Sequence, residues 1–194
     1  MPWEFRGGFK SFVLLLDGSL AVGQYNIEIW NIKSGKIVKN ISVNKEIWSM
    51  CLLTSNRIAS GASDGSVSIW NTKTGSLLYN LKEHTGTVVA LAALTNNRLA
   101  SGSYDTTVKI WNIQTGKLLH NLVGHKNLIS SLTVLPNGLL ASGSYDYTVR
   151  IWNYTDGNLE YELTNHTSYV YTVLTLPNGL LASGSKDGTI KIWK

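Results

Sequence analysis

Residues 128–163 read LISSLTVLPNGLLASGSYDYTVRIWNYTDGNLEYEL, with no ten-residue stretch of 3.6-residue apolar periodicity that would call for a helix. Residues 128–135 are apolar and β-branched enough for a strand. Pro136-Asn137-Gly138 interrupts them, and an Asn-Gly pair, both of whose residues tolerate positive φ, predicts a hairpin turn. Residues 139–144 form a second run with small side chains. A turn at Tyr145-Asp146 leads into residues 148–152, TVRIW, which are strongly β-forming. The NYTDG stretch turns the chain again into a fourth run, residues 158–163. Four short strands joined by tight turns make an antiparallel meander, which cannot bury both of its faces alone.

The same unit recurs along the chain. Ile-Trp pairs fall at Ile29-Trp30, Ile69-Trp70, Ile110-Trp111, Ile151-Trp152 and Ile192-Trp193, separated by 40, 41, 41 and 41 residues. A fixed period of this size marks a repeat architecture, in which copies stack to cover one another's faces. No linker or low-complexity stretch interrupts the series. The expectation is one array over residues 1–194, with units at about 5–43, 44–82, 83–123, 124–164 and 165–194. The fifth unit offers YVYTVLTL, LLASGS and TIKIW, so its outer strand is missing.

Composition narrows the function classes. A chain that is 43% hydrophobic and 15% charged has the makings of a folded globular domain. No apolar run approaches the roughly 18 residues of a membrane span, and FVLLL (12–16) meets Asp17-Gly18 at once, which reads as a strand rather than a signal peptide. The net charge of +5 is scattered without a basic run, which disfavours nucleic-acid and anionic-membrane binding. Cys51, the single cysteine, cannot form an internal disulfide and lies in an apolar segment. A buried thiol in a reducing compartment is expected, hence the cytoplasm, with the nucleus as alternative. Three Asn-x-Ser/Thr strings, at Asn40, Asn153 and Asn165, read as chance occurrences without a secretory signal. Four histidines and one cysteine, widely spread, suggest no metal site, and no glycine-rich phosphate loop precedes a helix, so no cofactor is expected. His120 falls in an outer strand, as a surface residue.

A unit with Gly124-His125, then LASGS and an Asp, then VRIWN resembles the WD-repeat β-propeller family, and the resemblance covers essentially the whole chain. It implies an all-β fold: a propeller of four-stranded antiparallel blades, about five of them, with the last incomplete. The outcome is either a small closed ring or an open partial propeller. Departures from the family pattern are visible. The terminal Asp is Asn at Asn31, Asn71, Asn112 and Asn153 and Lys at Lys194, and the Gly-His pair becomes Glu83-His84 and Asn165-His166. The first unit is the most divergent. In the family a strand from the start of the chain usually completes the last blade, and PWEF (2–5) is the only stretch available for that pairing.

Three units hold a His, a Ser and an Asp at constant spacing, followed by a Trp: His84, Ser101, Asp105 and Trp111; His125, Ser142, Asp146 and Trp152; His166, Ser183, Asp187 and Trp193. A Ser-His-Asp set invites an acyl-transfer reading. Its recurrence in register argues against one asymmetric active site. The resemblance implies instead a hydrogen-bonded Trp-Ser-His-Asp network that ties each blade together, a geometry these donors and acceptors allow. The second unit keeps Ser60, Asp64 and Trp70 without the His. The chain is therefore expected not to be an enzyme.

In the family the usual contact surface is the top face around the central axis, built from the start of each first strand and the residue before the Asp. Carried onto this chain, it comprises Glu46, Trp48 and Ser63, then Thr87, Val89 and Tyr104, then Leu128, Ser130 and Tyr145, then Tyr169, Tyr171 and Lys186, with Gly8 and Lys10 from the first unit. One Trp and four Tyr in that set suit a protein–protein hot spot. Arginine is nearly absent, with Arg57 and Arg98 at the opposite face and Arg150 in a third strand, which disfavours a phosphopeptide. The expected function is a non-enzymatic scaffold for a protein or peptide partner, with no small-molecule substrate. The alternative is a partial propeller belonging to a larger protein, and the incomplete fifth unit adds self-association to the expectations.

Overall fold

The computed structural model describes residues 8–54 and 56–194, and every described element is a strand or turn. The first sheet holds β1 to β4 (Ser11–Leu14, Leu20–Gly23, Ile27–Asn31, Lys36–Ile41). The second holds β5 to β8 (Ile47–Thr54, Arg57–Ala62, Val67–Asn71, Leu77–Leu81), and the third β9 to β12 (Val88–Leu94, Arg98–Ser103, Val108–Asn112, Lys117–Leu122). The fourth holds β13 to β16 (Ile129–Val134, Leu140–Ser144, Val149–Asn153, Asn158–Leu163), and the fifth β17 to β19 (Val170–Thr175, Leu181–Ser185, Ile190–Trp193). Each sheet is an antiparallel meander in sequence order. The fifth has three strands. PWEF, the stretch available to close the ring, lies outside the described residues.

Local chemistry explains the turns. The Leu135–Gly138 turn closes through a Gly138 N–H to Leu135 carbonyl bond of 3.0 Å, and only Gly138 takes positive φ, +80°. Asn137 does not, so the Asn-Gly pair expected to share positive φ splits the work. Pro136 pre-sets the first corner and the glycine supplies the left-handed one. The third sheet uses two left-handed asparagines instead, Asn96 and Asn97, both at φ 56°. The asparagines that replace the family's Asp keep its turn. Asn71 Oδ1 accepts the Lys73 and Thr74 N–H groups at 2.9 and 3.0 Å, and Asn31, Asn112 and Asn153 do likewise. An amide oxygen serves there as well as a carboxylate.

The first strands β1, β5, β9, β13 and β17 pack against one another in order and so line the axis. Between neighbouring sheets lie the cores. Ile27, Ile41, Ile47 and Ile58 join the first and second sheets, and Val67, Ile69, Val88 and Leu99 the second and third. Val108, Leu122, Ile129 and Leu140 join the third and fourth, and Val149, Ile151, Val170 and Val173 the fourth and fifth. Each such side chain, fully buried, contributes about 1.5–3 kcal/mol. The glycine of each LASGS-type strand admits the next sheet: a Cβ on Gly102 would lie 2.5 Å from Ile129 Cγ2, and one on Gly143 2.9 Å from Val170 Cγ1. Gly184, in the fifth sheet, would meet only Thr172 of its own sheet.

That difference marks an open face. Among the described residues no core cluster joins the fifth sheet to the first. Ile190 is 77% exposed on one side, and Phe12 is 72% exposed on the other. Among the described residues the five sheets form an open arc, within the two forms that the sequence allowed.

Candidate functional site

Two constellations were expected, and the structure separates them by depth. The Trp-Ser-His-Asp sets lie inside the blades. In the fourth sheet the Trp152 indole N–H donates to Ser142 Oγ at 2.8 Å, His125 Nε2 meets the same oxygen at 2.8 Å, and His125 Nδ1 meets Asp146 Oδ2 at 2.7 Å. Asp146 also accepts the Lys126 and Thr148 N–H groups, at 2.9 and 3.0 Å. The third sheet repeats this through Trp111, Ser101, His84 and Asp105, and the fifth through Trp193, Ser183, His166 and Asp187, with every link between 2.7 and 2.9 Å. Each network pins the loop before a first strand to the second and third strands. Ser101 and Ser142 are 0% exposed, so neither hydroxyl can reach a substrate.

The second sheet solves the missing histidine differently. Trp70 donates to Ser60 at 2.9 Å as usual, while Lys45 Nζ takes over the carboxylate, 2.8 Å from Asp64 Oδ2 and 3.0 Å from Ser66 Oγ. Lys45 sits two residues out of register with the histidines and reaches the site on its longer stem, which is why spacing did not reveal it.

These contacts set the carboxylates. Burial pushes Asp105 and Asp146 up, but hydrogen bonds from their histidines and threonines overcome it and hold both well below the usual carboxylate range. At Asp187 the Thr189 hydroxyl leads, followed by His166, with the same result. At Asp64 burial is outweighed by Lys45 and Ser66, leaving it at about 2. A carboxyl lowered by folding stabilises the fold above its unfolded value, about 3.9, and loses that contribution as pH falls through the folded value. Thermal melts are therefore expected to be insensitive to these groups from pH 7 to 5, with the melting temperature falling below about pH 4. A fall already complete at pH 5 would assign the acid sensitivity to other groups.

The second constellation lies at the surface. Trp48, Val89, Tyr104, Leu128, Ser130, Tyr145 and Tyr171, with Lys10, line one cavity of about 400 Å³ at the ends of the first strands. All eight come from the positions expected to form the top face. A repeated backbone bond builds the rim: the residue before each Asp donates its N–H to the residue that opens the first strand. It joins Ser63 to Glu46, Tyr104 to Thr87, Tyr145 to Leu128 and Lys186 to Tyr169, at 2.8–3.0 Å. Thr87 further binds the Ser63 carbonyl at 3.2 Å.

Aromatic contacts shape the cavity walls. Tyr145 and Tyr169 stack with centroids 4.4 Å apart and planes 10° from parallel, while Tyr171 meets Tyr145 edge-on at 5.7 Å. Trp48 meets Tyr104 edge-on at 6.2 Å. Lys10 lies 3.2 Å above the Trp48 ring and 2.6 Å from Glu46, and Lys186 lies 5.0 Å from the Tyr169 centroid. Glu46 is lowered first by Lys10. Burial among its neighbours pushes Tyr145 up, so it remains a neutral hydroxyl. Glu46 also borders a second cleft with Gly8, Lys10 and Tyr25, so it sits between two depressions rather than inside the main one.

Tyr147 belongs to this surface and was not foreseen. It is exposed and tilts against Tyr169 at 5.7 Å. A signal existed, however. Gly65 and Gly188 hold the same turn position in their units at φ +80° and +82°, and Tyr147 adopts φ +75° there. Thr106 holds that position in the third unit at φ 72°, so the left-handed corner recurs with the repeat and costs strain wherever a side chain replaces the glycine.

Away from these two constellations, burial pushes the Cys51 thiol up to about 12, so at neutral pH it is protonated and inert. Among the described residues no group of His, Cys, Asp or Glu is arranged to hold a metal ion. His120 lies on β12 as expected, its Nε2 3.2 Å from the Thr155 carbonyl of the next sheet.

Family models match residues 35–71, 75–112, 116–153 and 157–194, each as "WD domain, G-beta repeat". The matched repeats are offset from the sheets by one strand: each begins with the outer strand of one sheet and ends with the third strand of the next. Among solved structures the chain is similar to the crystal structure of the WD40 beta propeller domain of Doa1, with a TM-score of 0.81 at 24% identity. The match covers 93% of this chain and 62% of that one, so the five sheets span less than two thirds of the matched structure's length. At that identity the likeness shows the fold. No curated protein matches the chain.

Proposed function

The chain belongs to the WD domain, G-beta repeat family, and on that premise we propose that it is a non-enzymatic scaffold whose aromatic top face captures a protein or peptide partner. Propellers of this family are in general interaction modules rather than catalysts. The observation that carries the reading is the cavity at the ends of the first strands, where Trp48, Tyr104, Tyr145 and Tyr171 converge. Large, stiff aromatic side chains supply contact area at low entropic cost, and such residues dominate interface energetics.

Peptides selected from a displayed library on the wild-type chain provide the test. Replacing Tyr145, Tyr169 and Tyr171 together with Ala is expected to weaken their capture at least about 30-fold, the effect of losing one strong hot spot. The melting temperature is expected to change by only a few degrees, because these rings lie at the surface. Retained capture would move the binding surface elsewhere.

A second reading, a partial propeller within a larger regulatory protein, is favoured by the exposed lateral faces of the first and fifth sheets and by the 62% span of the matched propeller. A transcript that continues the reading frame beyond these residues would decide for it. We place the protein in the cytoplasm or nucleus on the strength of its single, inert thiol. Fluorescent tagging checks that assignment.

A further inference from the structure

The cavity at the ends of the first strands joins an apolar floor to a rim of donors. Trp48, Val89, Tyr104, Leu128, Tyr145 and Tyr171 line it, and its volume of about 400 Å³ is ample for one large apolar side chain. Lys10 is its one charged lining residue and is already answered, by Glu46 Oε1 at 2.6 Å and by the Trp48 ring 3.2 Å away. The other carboxylates at this end are engaged as well. Asp64 holds Lys45, Glu162 holds Arg150, and Asp105, Asp146 and Asp187 each hold a histidine, a threonine hydroxyl and two backbone N–H groups. Glu83 is the exception, and it follows Lys82 directly in the chain.

Two cations stand at this end without a carboxylate among the described residues. Lys126 and Lys186 are both exposed. Lys186 Nζ lies 5.0 Å from the centroid of Tyr169, which stacks on Tyr145, and the Lys126 N–H binds Asp146, the residue after Tyr145, at 2.9 Å. The phenols add donors to these ammonium groups. Tyr171, Tyr104 and Tyr169 stand close enough to help burial push the Tyr145 hydroxyl up, and none of the four hydroxyls meets an acceptor among the described residues. Ammonium and neutral phenol groups seek the same counterpart, an anionic acceptor, and hydrogen bonds to a carboxylate are about twice as strong as neutral ones. A cationic ligand meets the reverse situation, because Lys10 covers the Trp48 face and Lys186 stands beside Tyr169.

Resting on the aromatic-face reading above, we infer that the partner is an acidic peptide segment: one large apolar residue enters the cavity, and Asp or Glu residues beside it meet Lys126, Lys186 and the phenol hydroxyls. The apolar anchor supplies the affinity, and the carboxylates supply register and steer the encounter. The site takes carboxylates rather than phosphate. Arg150 is bound to Glu162 at 3.0 Å, and Arg57 and Arg98 open second strands at the far end, so no described arginine presents a planar fork here.

The probes are a displayed library of random peptides and then a fluorescein-labelled synthetic peptide of the enriched sequence, beside a copy with Asn and Gln in place of its Asp and Glu. Enrichment of acidic residues around one large apolar residue is expected. Binding to the full chain, followed by anisotropy, is expected to be at least about tenfold weaker for the amide copy, and likewise for the original peptide with a Lys126→Glu/Lys186→Glu chain. A copy with Lys at the acidic positions should recover binding to that chain. Lys33→Glu/Lys117→Glu makes the same charge change beside the turns between third and fourth strands, at the other end, and should leave binding unchanged. All four lysines are exposed, which keeps both variants folded. Capture that needs Tyr145, Tyr169 and Tyr171 but treats acid and amide copies alike would overturn the acidic partner and leave the aromatic face standing. Capture indifferent to those tyrosines, or no capture at all, would overturn both. Loss of peptide binding in step with a rise in molar mass by light scattering would overturn the inference in favour of a second copy. Tighter binding to a Glu4→Gln chain would overturn it in favour of the protein's own first residues.

Discussion

Replacing Trp152 with Ala is expected to lower the unfolding free energy by about 3–5 kcal/mol, the range for deleting a large aromatic ring from a packed core. Trp152 is 2% exposed and lies in the cluster that joins the third and fourth sheets. Its indole N–H is bound by Ser142, and the Arg150 guanidinium carbon lies 6.0 Å from its ring centroid. Small domains are stable by only about 5–15 kcal/mol in all, so the variant should be substantially unfolded at modest urea concentrations. The same substitution at Trp193 provides the internal control. That ring makes the same bond to its serine, at 2.9 Å, but is half-buried beside the cavity between the fourth and fifth sheets. Its loss is expected to cost no more than about half as much, because less area returns to water and the site is already open. Urea unfolding of the two variants at one temperature measures both. Equal costs would mean that the repeat position, rather than its burial, sets the energetics.

The contrast between those two tryptophans also shows which features could be read from residues alone. Period and strand order followed from local chemistry. β-branched runs, Pro-Asn-Gly breaks and a recurrent Ile-Trp pair specify the same sheet wherever they occur. The arc's opening did not follow from them, because closure depends on curvature accumulated over five interfaces and no residue type reports it. Gly184, which meets no neighbouring sheet where Gly102 and Gly143 do, shows the open face only once coordinates place the sheets. The residues of the surface cavity were legible as positions but not as a shape. The family resemblance, carried along the repeat, singled out Trp48, Tyr104, Tyr145 and Tyr171, which line one cavity, yet nothing in their spacing says that Tyr145 stacks on Tyr169 or that Lys10 covers Trp48. Lys45 escaped because spacing tracks backbone position, whereas a four-carbon stem carries its charge to a site two residues out of register.

The three internal Ser-His-Asp sets yield the other large effect, because a structural and a catalytic role predict opposite patterns. Ser142→Ala removes the one oxygen shared by Trp152 Nε1–H and His125 Nε2, and leaves both nitrogens without their partner in a site 0% exposed at Ser142. Each buried polar group so stranded costs about 1–3 kcal/mol, giving an expected loss of about 2–6 kcal/mol for the two. Ser101→Ala should cost about the same, since its site is equally closed. Ser60→Ala should cost less, since it strands only the Trp70 indole and leaves the Lys45–Asp64 pair intact. A catalytic serine would instead be singular, and its removal would abolish turnover of an activated ester with little change in stability. Calorimetry on the three variants, beside an ester assay, separates these outcomes. The double variant Ser142→Ala/His125→Ala adds the last constraint. If the hydroxyl's contribution is its bond to the imidazole, the double variant loses less than the sum of the singles by about 0.5–3 kcal/mol. Additive losses would mean that the serine acts through Trp152 alone, and that the histidine serves only to hold Asp146 against the loop at Lys126.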